Sequence, residues 1–191
     1  MGLLIVDSSD QDGENQVLLA TTADRRLNVL DVPSCTLRDS LVTLQDSPIL
    51  SCVVLKTSHL LTGSMSGRLA IGDFRGNVLS ERRDHGKYVV HIALHETSGT
   101  TTWIATAGWD SKICLYKLDY EEGDTPRLED PFDVITLQTN PEAILFVDHP
   151  ENGKPVLIVT RRDSTYLYYY SIESEARLIG KQNIAPRKGT I

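Results

Sequence analysis

Apolar residues come in short runs broken by polar turns. Runs at 17–20, 59–61, 103–105 and 156–159 each lead into a turn and then a stretch of alternating side chains rich in Leu, β-branched and aromatic residues. A period of two turns one face of an extended strand toward a core, and two such runs joined by a few turn residues form a hairpin. None of these stretches repeats apolar residues at helical spacing over about 11 positions. Further runs precede each hairpin, at 3–6, 49–55, 88–94 and 143–147, and follow it, at 36–44, 77–80, 132–137 and 176–180. The pattern predicts an all-β chain with about four short strands per copy of the unit.

The hairpins are copies of one another. Segments 22–31, 64–73, 108–117 and 161–170 align without gaps, with Asp24, Ser66, Asp110 and Asp163 at the same turn position. The copies occupy approximately 1–45, 46–84, 85–138 and 139–185, and successive markers lie 42, 44 and 53 residues apart. Four antiparallel strands every ~40 to 45 residues are the signature of a β-propeller blade, and the chain resembles the WD40-repeat family. A β-sandwich, which also spaces short strands by turns, is the architectural alternative.

The third copy is most similar to the family pattern. His85, Val89, Thr106, Asp110 and Tyr116 stand where the family has its loop His, innermost-strand Val, strand Ser/Thr, turn Asp and Trp. The resemblance implies a buried hydrogen-bonded chain through His85, Thr106, Asp110 and Tyr116 that ties the turn to the neighbouring loop. The other copies depart from it: Leu30-Asp31, Gly72-Asp73 and Tyr169-Tyr170 replace the naming dipeptide, Ser66 replaces the turn acid, and no copy but the third has the His. The network is therefore expected to brace one blade only, at ~1 kcal/mol net per bond, with Asp24 and Asp163 as turn acids elsewhere. Blades cover one another's faces, so an array must close into a ring or leave a face bare at each end. Four blades, against about seven common in the family, imply part of a larger propeller, and the tail 184–191 looks like a loop leading onward.

Charge singles out one segment. The 191 residues carry a net charge of -7, and residues 119–133 hold seven acids against one base, while residues 151–191 hold seven bases against four acids. Gly123, Pro126, Pro131 and repelling carboxylates predict a solvated insertion at 119–133. No apolar stretch approaches the ~18 residues of a membrane span, and the start lacks the basic region of a secretion signal. Cys35, Cys52 and Cys114 are odd in number without C-x-x-C spacing, and no glycosylation sequon occurs. The expected setting is therefore an intracellular, reducing compartment, cytoplasmic or nuclear.

Candidate chemistry is sparse. No phosphate-cradling Gly loop, H-E-x-x-H or G-x-S-x-G is present. His91 and His95 share a strand face but stand ~13 Å apart at ~3.3 Å per residue, too far for one zinc ion. No cysteine has the His and carboxylate that would activate it. The expectation is no enzyme, no cofactor and no metal. Phe74-Arg75-Gly76 is similar to the F-R-R-G motif of phosphoinositide-binding propellers but has one Arg. Arg161 and Arg162 beside Tyr166, Tyr168, Tyr169 and Tyr170 form a candidate anion site of the kind that holds RNA. The tyrosines are also accounted for as filler of a strand between two blades. A chain at -7 attracts polyanions weakly. The favoured reading is a scaffold that binds proteins through rim loops, with Glu121, Glu122, Asp124, Glu129 and Asp130 recruiting a partner's basic segment; an RNA- or phosphoinositide-binding module is the alternative.

Overall fold

Strand-forming runs separated by tight turns can satisfy their backbone groups only by pairing with one another, and here each run pairs with its neighbour in sequence. The computed structural model describes residues 3–10, 13–32, 34, 36–41, 44–56, 59–97, 100–120 and 124–185. These form sixteen strands in four separate antiparallel meanders. The first sheet comprises β1 (Leu3–Asp10), β2 (Gly13–Thr21), β3 (Leu27–Asp31) and β4 (Thr36–Leu41); the second β5 (Ile49–Leu55), β6 (His59–Ser64), β7 (Leu69–Asp73) and β8 (Val78–Arg82). The third comprises β9 (Val89–Glu96), β10 (Thr101–Gly108), β11 (Lys112–Asp119) and β12 (Asp133–Thr136); the fourth β13 (Pro141–Asp148), β14 (Pro155–Arg161), β15 (Tyr166–Ile172) and β16 (Ala176–Asn183). No described residue is helical.

The repeat extends to irregularities. In sheets two, three and four, the second residue of the first strand (Leu50, Val90, Glu142) bulges out of register with the next strand. The outermost strands of sheets one, two and four bulge at Arg38, Leu79 and Ile179. Bulges re-aim a strand and raise its twist, so recurrence at matched places gives the sheets a common curvature.

Alternation sends each strand's apolar residues to both faces, and three buried clusters fill the spaces between sheets. Leu19, Leu27 and Val29 of the first sheet meet Ile49 and Leu60 of the second. Leu55, Leu61, Leu69 and Ile71 of the second meet Val89, Ile104 and Tyr116 of the third. Ala105, Ala107, Ile113 and Leu115 of the third meet Phe146, Leu157, Val159 and Tyr170 of the fourth. Among the described residues no cluster joins the fourth sheet to the first.

Two expectations need correction. The fourth hairpin does not align without a gap: Thr160 pairs with Leu167 across six residues, whereas Thr21–Leu27, Gly63–Leu69 and Ala107–Ile113 enclose five. The left-handed residue follows the marker in the first three turns, at Arg25, Gly67 and Ser111, but is the marker itself, Asp163, in the fourth. Asp163 therefore plays a different part from Asp24 and Asp110, and side chains after the fourth turn are shifted by one. As a result Tyr168 and Tyr170 face the third sheet, while Tyr169 lies on the opposite side with Leu145 and Ile158. Among the described residues, β15 is thus packed against a sheet on one side only.

The acidic insertion is not wholly solvated either. Asp119 and Asp133 belong to strands, and between them Leu128 is buried in the cluster joining the second and third sheets. The Leu128 N–H donates to Ser80 Oγ at 3.1 Å and the Phe132 N–H to the Leu115 carbonyl at 2.9 Å. The segment is a strap along the outer edge of the two sheets, pinned by Leu128 within its acids and by Tyr120 and Phe132 near its ends. Glu121, Glu122, Cys35 and the tail from 186 onward lie outside the described residues.

Candidate functional site

The β10–β11 turn brings its side chains against the loop that enters β9. Gly108 ends β10 because no side chain fits there: a Cβ would stand 2.4 Å from His85 Nδ1 and 2.5 Å from Asp110 Oδ1. His85 Nδ1 lies 3.0 Å from Asp110 Oδ1, and its Nε2 lies 2.9 Å from Thr106 Oγ1. Since an ionised carboxylate only accepts, Nδ1 carries the proton, and in the neutral ring Nε2 accepts from the Thr106 hydroxyl. The Gly86 N–H donates to Asp110 Oδ2 at 2.9 Å. Burial raises the Asp110 pKa, but the bonds from His85 and from the Gly86 and Lys112 amides outweigh it and hold the carboxyl below its ordinary value.

Tyr116 is buried beside this chain and donates to Asp84 Oδ2 at 3.0 Å. Asp84 also accepts from Arg82 Nε at 2.7 Å, and Arg82 Nη2 reaches Asp130 of the strap at 2.7 Å. The Arg82 bond leads the causes that hold Asp84 below the carboxylate range, and burial pushes the Tyr116 phenol well up. Asp130 is thus engaged within the chain. Asp124 and Glu129 are exposed.

The second sheet repeats the brace with other residues, which overturns the expectation of a single braced copy. Gln45 stands four residues before β5, as His85 stands four before β9, and Thr62 occupies the place of Thr106. Gln45 is buried, and its Nε2 donates to Thr62 Oγ1 at 2.8 Å and to the Thr62 carbonyl at 3.1 Å. Ser66, in place of the turn acid, donates to Asp46 Oδ1 at 2.7 Å, so the carboxylate sits on the loop instead of the turn. Gly67 takes φ 84°, and a Cβ there would lie 2.1 Å from the His85 carbonyl, which locks this turn against the next loop. The signal in the sequence was the spacing of four, without the imidazole that marks it.

On the surface above these braces, the residue before each marker donates its N–H to the residue preceding or opening the neighbouring strand: Met65 to Pro48, Trp109 to Tyr88 and Arg162 to Asn140. These side chains are presented at one rim. Trp109 is 43% exposed, and its ring lies 5.2 Å from that of Tyr88 at 31°. Composition and motif gave no reason to single it out.

The remaining candidates lie apart from the brace. Asp24 accepts a short hydrogen bond from Thr22 in the first turn. Arg161 stacks on Tyr168 at 3.7 Å from the ring centre, while exposed Arg162 lies 3.8 Å from Glu142 Oε1. The carboxylate of Glu142 weakens an anion site there. Phe74 packs into the cluster of the first two sheets, and Arg75 sits in a turn closed by Asp73 Oδ1, which accepts from the Arg75 and Asn77 amides. His91 and His95 both point to the fourth sheet, His95 Nε2 lying 2.8 Å from Asp148. Burial pushes the Cys52 thiol up to about 12 and the Cys114 thiol up to about 11.

A family model described as the UCP007778 beta-propeller domain matches residues 2–188. The chain belongs to this beta-propeller family. The four meanders are its blades, and the described residues of this propeller region contain no helix long and apolar enough to cross a membrane. The rim bearing Trp109 is the blade end at which the hairpin turns meet the loops between blades.

Proposed function

We propose that the chain is a non-catalytic scaffold of the WD40 kind that binds another protein on the rim around Trp109. Exposed Trp109, stacked on Tyr88 above a buried His85–Asp110–Thr106 brace, is the observation that carries this reading. Large aromatic rings held in one conformation lose little entropy on binding and dominate interface energies. Tyr116, Cys52 and Cys114 are shifted chiefly by burial in the core, which fits a scaffold as well.

Asp124 and Glu129, near Asp119 and Tyr120 at the end of β11 away from Trp109, belong with Glu121 and Glu122 to an acidic segment that would draw a basic partner segment at a second contact, in an association weakened by salt beyond a screening length of ~8 Å. Quantitative affinity capture from the native cell compares the wild type with Trp109→Ala and with Glu121, Glu122, Asp124 and Glu129 replaced by Ser; Asp130 is kept for its bond to Arg82. Loss of at least about 2 kcal/mol, some thirtyfold, is expected for Trp109→Ala, with the Ser variant losing salt-sensitive binding. An unchanged set of captured proteins with Trp109→Ala rejects the rim reading.

A further inference from the structure

Around Trp109 the acids are taken up within the chain. On the β10–β11 turn, Asp110 accepts from His85 and the Gly86 N–H. On the loop entering β9, Asp84 accepts from Arg82 and Tyr116, and on the loop entering β5, Asp46 accepts from Ser66 and Arg83. The lysines are not. Lys87 precedes Tyr88, and its carbonyl faces the second blade's turn, 3.0 Å from where a Cβ on Gly67 would stand. Lys112 opens β11, and its N–H closes the turn on Asp110 Oδ1 at 3.3 Å. Both are exposed, and among the described residues neither side chain has an ionic or hydrogen-bonding partner. Each of the two segments that carry the stacked rings therefore also carries one uncompensated cation. The positive stretch is short: Arg83 is paired with Asp46 on one side, while exposed Asp163 and the Arg162–Glu142 pair stand on the other.

We propose that the rim takes a short acidic segment of a partner protein, with an apolar side chain laid on Trp109 and Tyr88 and carboxylates reaching Lys87 and Lys112. The inference rests on the scaffold reading of the rim and adds the chemistry of what binds there. Rigid rings supply contact area, and unpaired charges beside them set the sign and register of the segment that fits. Carboxylates suit the site better than phosphates, because the forked guanidinium groups that clasp phosphate are engaged: Arg68 with Glu81, Arg82 with Asp84 and Arg83 with Asp46. A long polyanion would also run onto Asp163 and Glu142 and meet a chain of net charge -7. The acidic strap lies at the other end of β11, so a partner that touches both places segments of opposite sign there, which fixes its direction on the blade.

Short random peptides displayed on phage and selected on the 191-residue chain test this. Enriched sequences are expected to combine several Asp or Glu with an aromatic or aliphatic residue. A synthetic copy of the best binder is expected to lose affinity at least about tenfold when Lys87→Glu and Lys112→Glu are combined, and to lose it with Trp109→Ala as well. Circular dichroism checks the fold of each variant, and Lys87→Ala with Lys112→Ala replaces the reversal if new acids beside Asp110 disturb the turn. Binders that depend on Trp109 but carry no excess of acids, or that ignore both lysine variants, overturn the acidic assignment and leave the scaffold reading of the rim standing. Failure to enrich any peptide that depends on Trp109 overturns both. Tighter, lysine-dependent binding of oligouridylate, or of a phosphoserine copy of the peptide, assigns the rim to phosphate and overturns the proposal.

Discussion

Single residues hold this fold where backbone alone would leave the rim loose. His85 is buried with both ring nitrogens bonded, so removing a partner leaves a desolvated polar atom unmatched. Asp110→Asn is expected to cost about 1–3 kcal/mol in denaturant unfolding. Its pH signature follows from linkage. Because the folded pKa of Asp110 lies below the unfolded one, its stabilisation is complete above the ordinary carboxylate range and is lost as pH falls through the folded value. Acid unfolding of Asp110→Asn is therefore shallower below about pH 4 than that of the wild type; equal slopes would refute the coupling. His85, Thr106 and Asp110 were legible in the sequence because a His and an Asp in fixed register are rare. Gln45 was not, since an amide replacing an imidazole leaves only a spacing to read.

Among elements, turns and the strap show how local chemistry sets geometry. Arg25 takes φ 70° in an exposed turn, a conformation that crowds any Cβ. Arg25→Gly is expected to raise stability by about 0.5–1 kcal/mol, and a lowered melting temperature would count against the strain. Leu128 is the buried apolar contact in the middle of the strap, between Tyr120 and Phe132 near its ends. Leu128→Ala is expected to cost about 2 kcal/mol, the low end for buried Leu because an edge segment can partly collapse, and to speed proteolysis within 119–133. Unchanged cleavage would mean that the remaining contacts, the Arg82–Asp130 pair and the packed Tyr120 and Phe132 among them, hold the strap without the Leu128 side chain. This pinning escaped the sequence reading because a single Leu among seven acids does not alter a segment's composition. The extra residue in the fourth turn escaped it for another reason: with tyrosines at 168, 169 and 170, a shift of one leaves an aromatic residue at every position concerned.

For the molecule as a whole, stability is a chain of junctions between neighbours. Among the described residues the fourth blade is attached through one cluster, whereas the second and third are packed on both faces. In such a linear array a weakened junction releases the blade beyond it without unfolding the rest. Leu157→Ala, at a fully buried position, is expected to cost about 2–5 kcal/mol and to accelerate amide hydrogen exchange across β13–β16 while β5–β11 stay protected. Uniform acceleration over all four blades would show one cooperative unit instead.

Period-two alternation and turns at matched spacing were enough to determine strands, hairpins and a fourfold repeat, because each of these depends on residues close together in the chain. Which face of each strand is covered, where a strap finds its anchor and which rim residue stands exposed depended on blades meeting across tens of residues. Contacts of that kind follow from a one-residue difference in a turn or from a neighbour's shape, and only the folded chain brings those partners together.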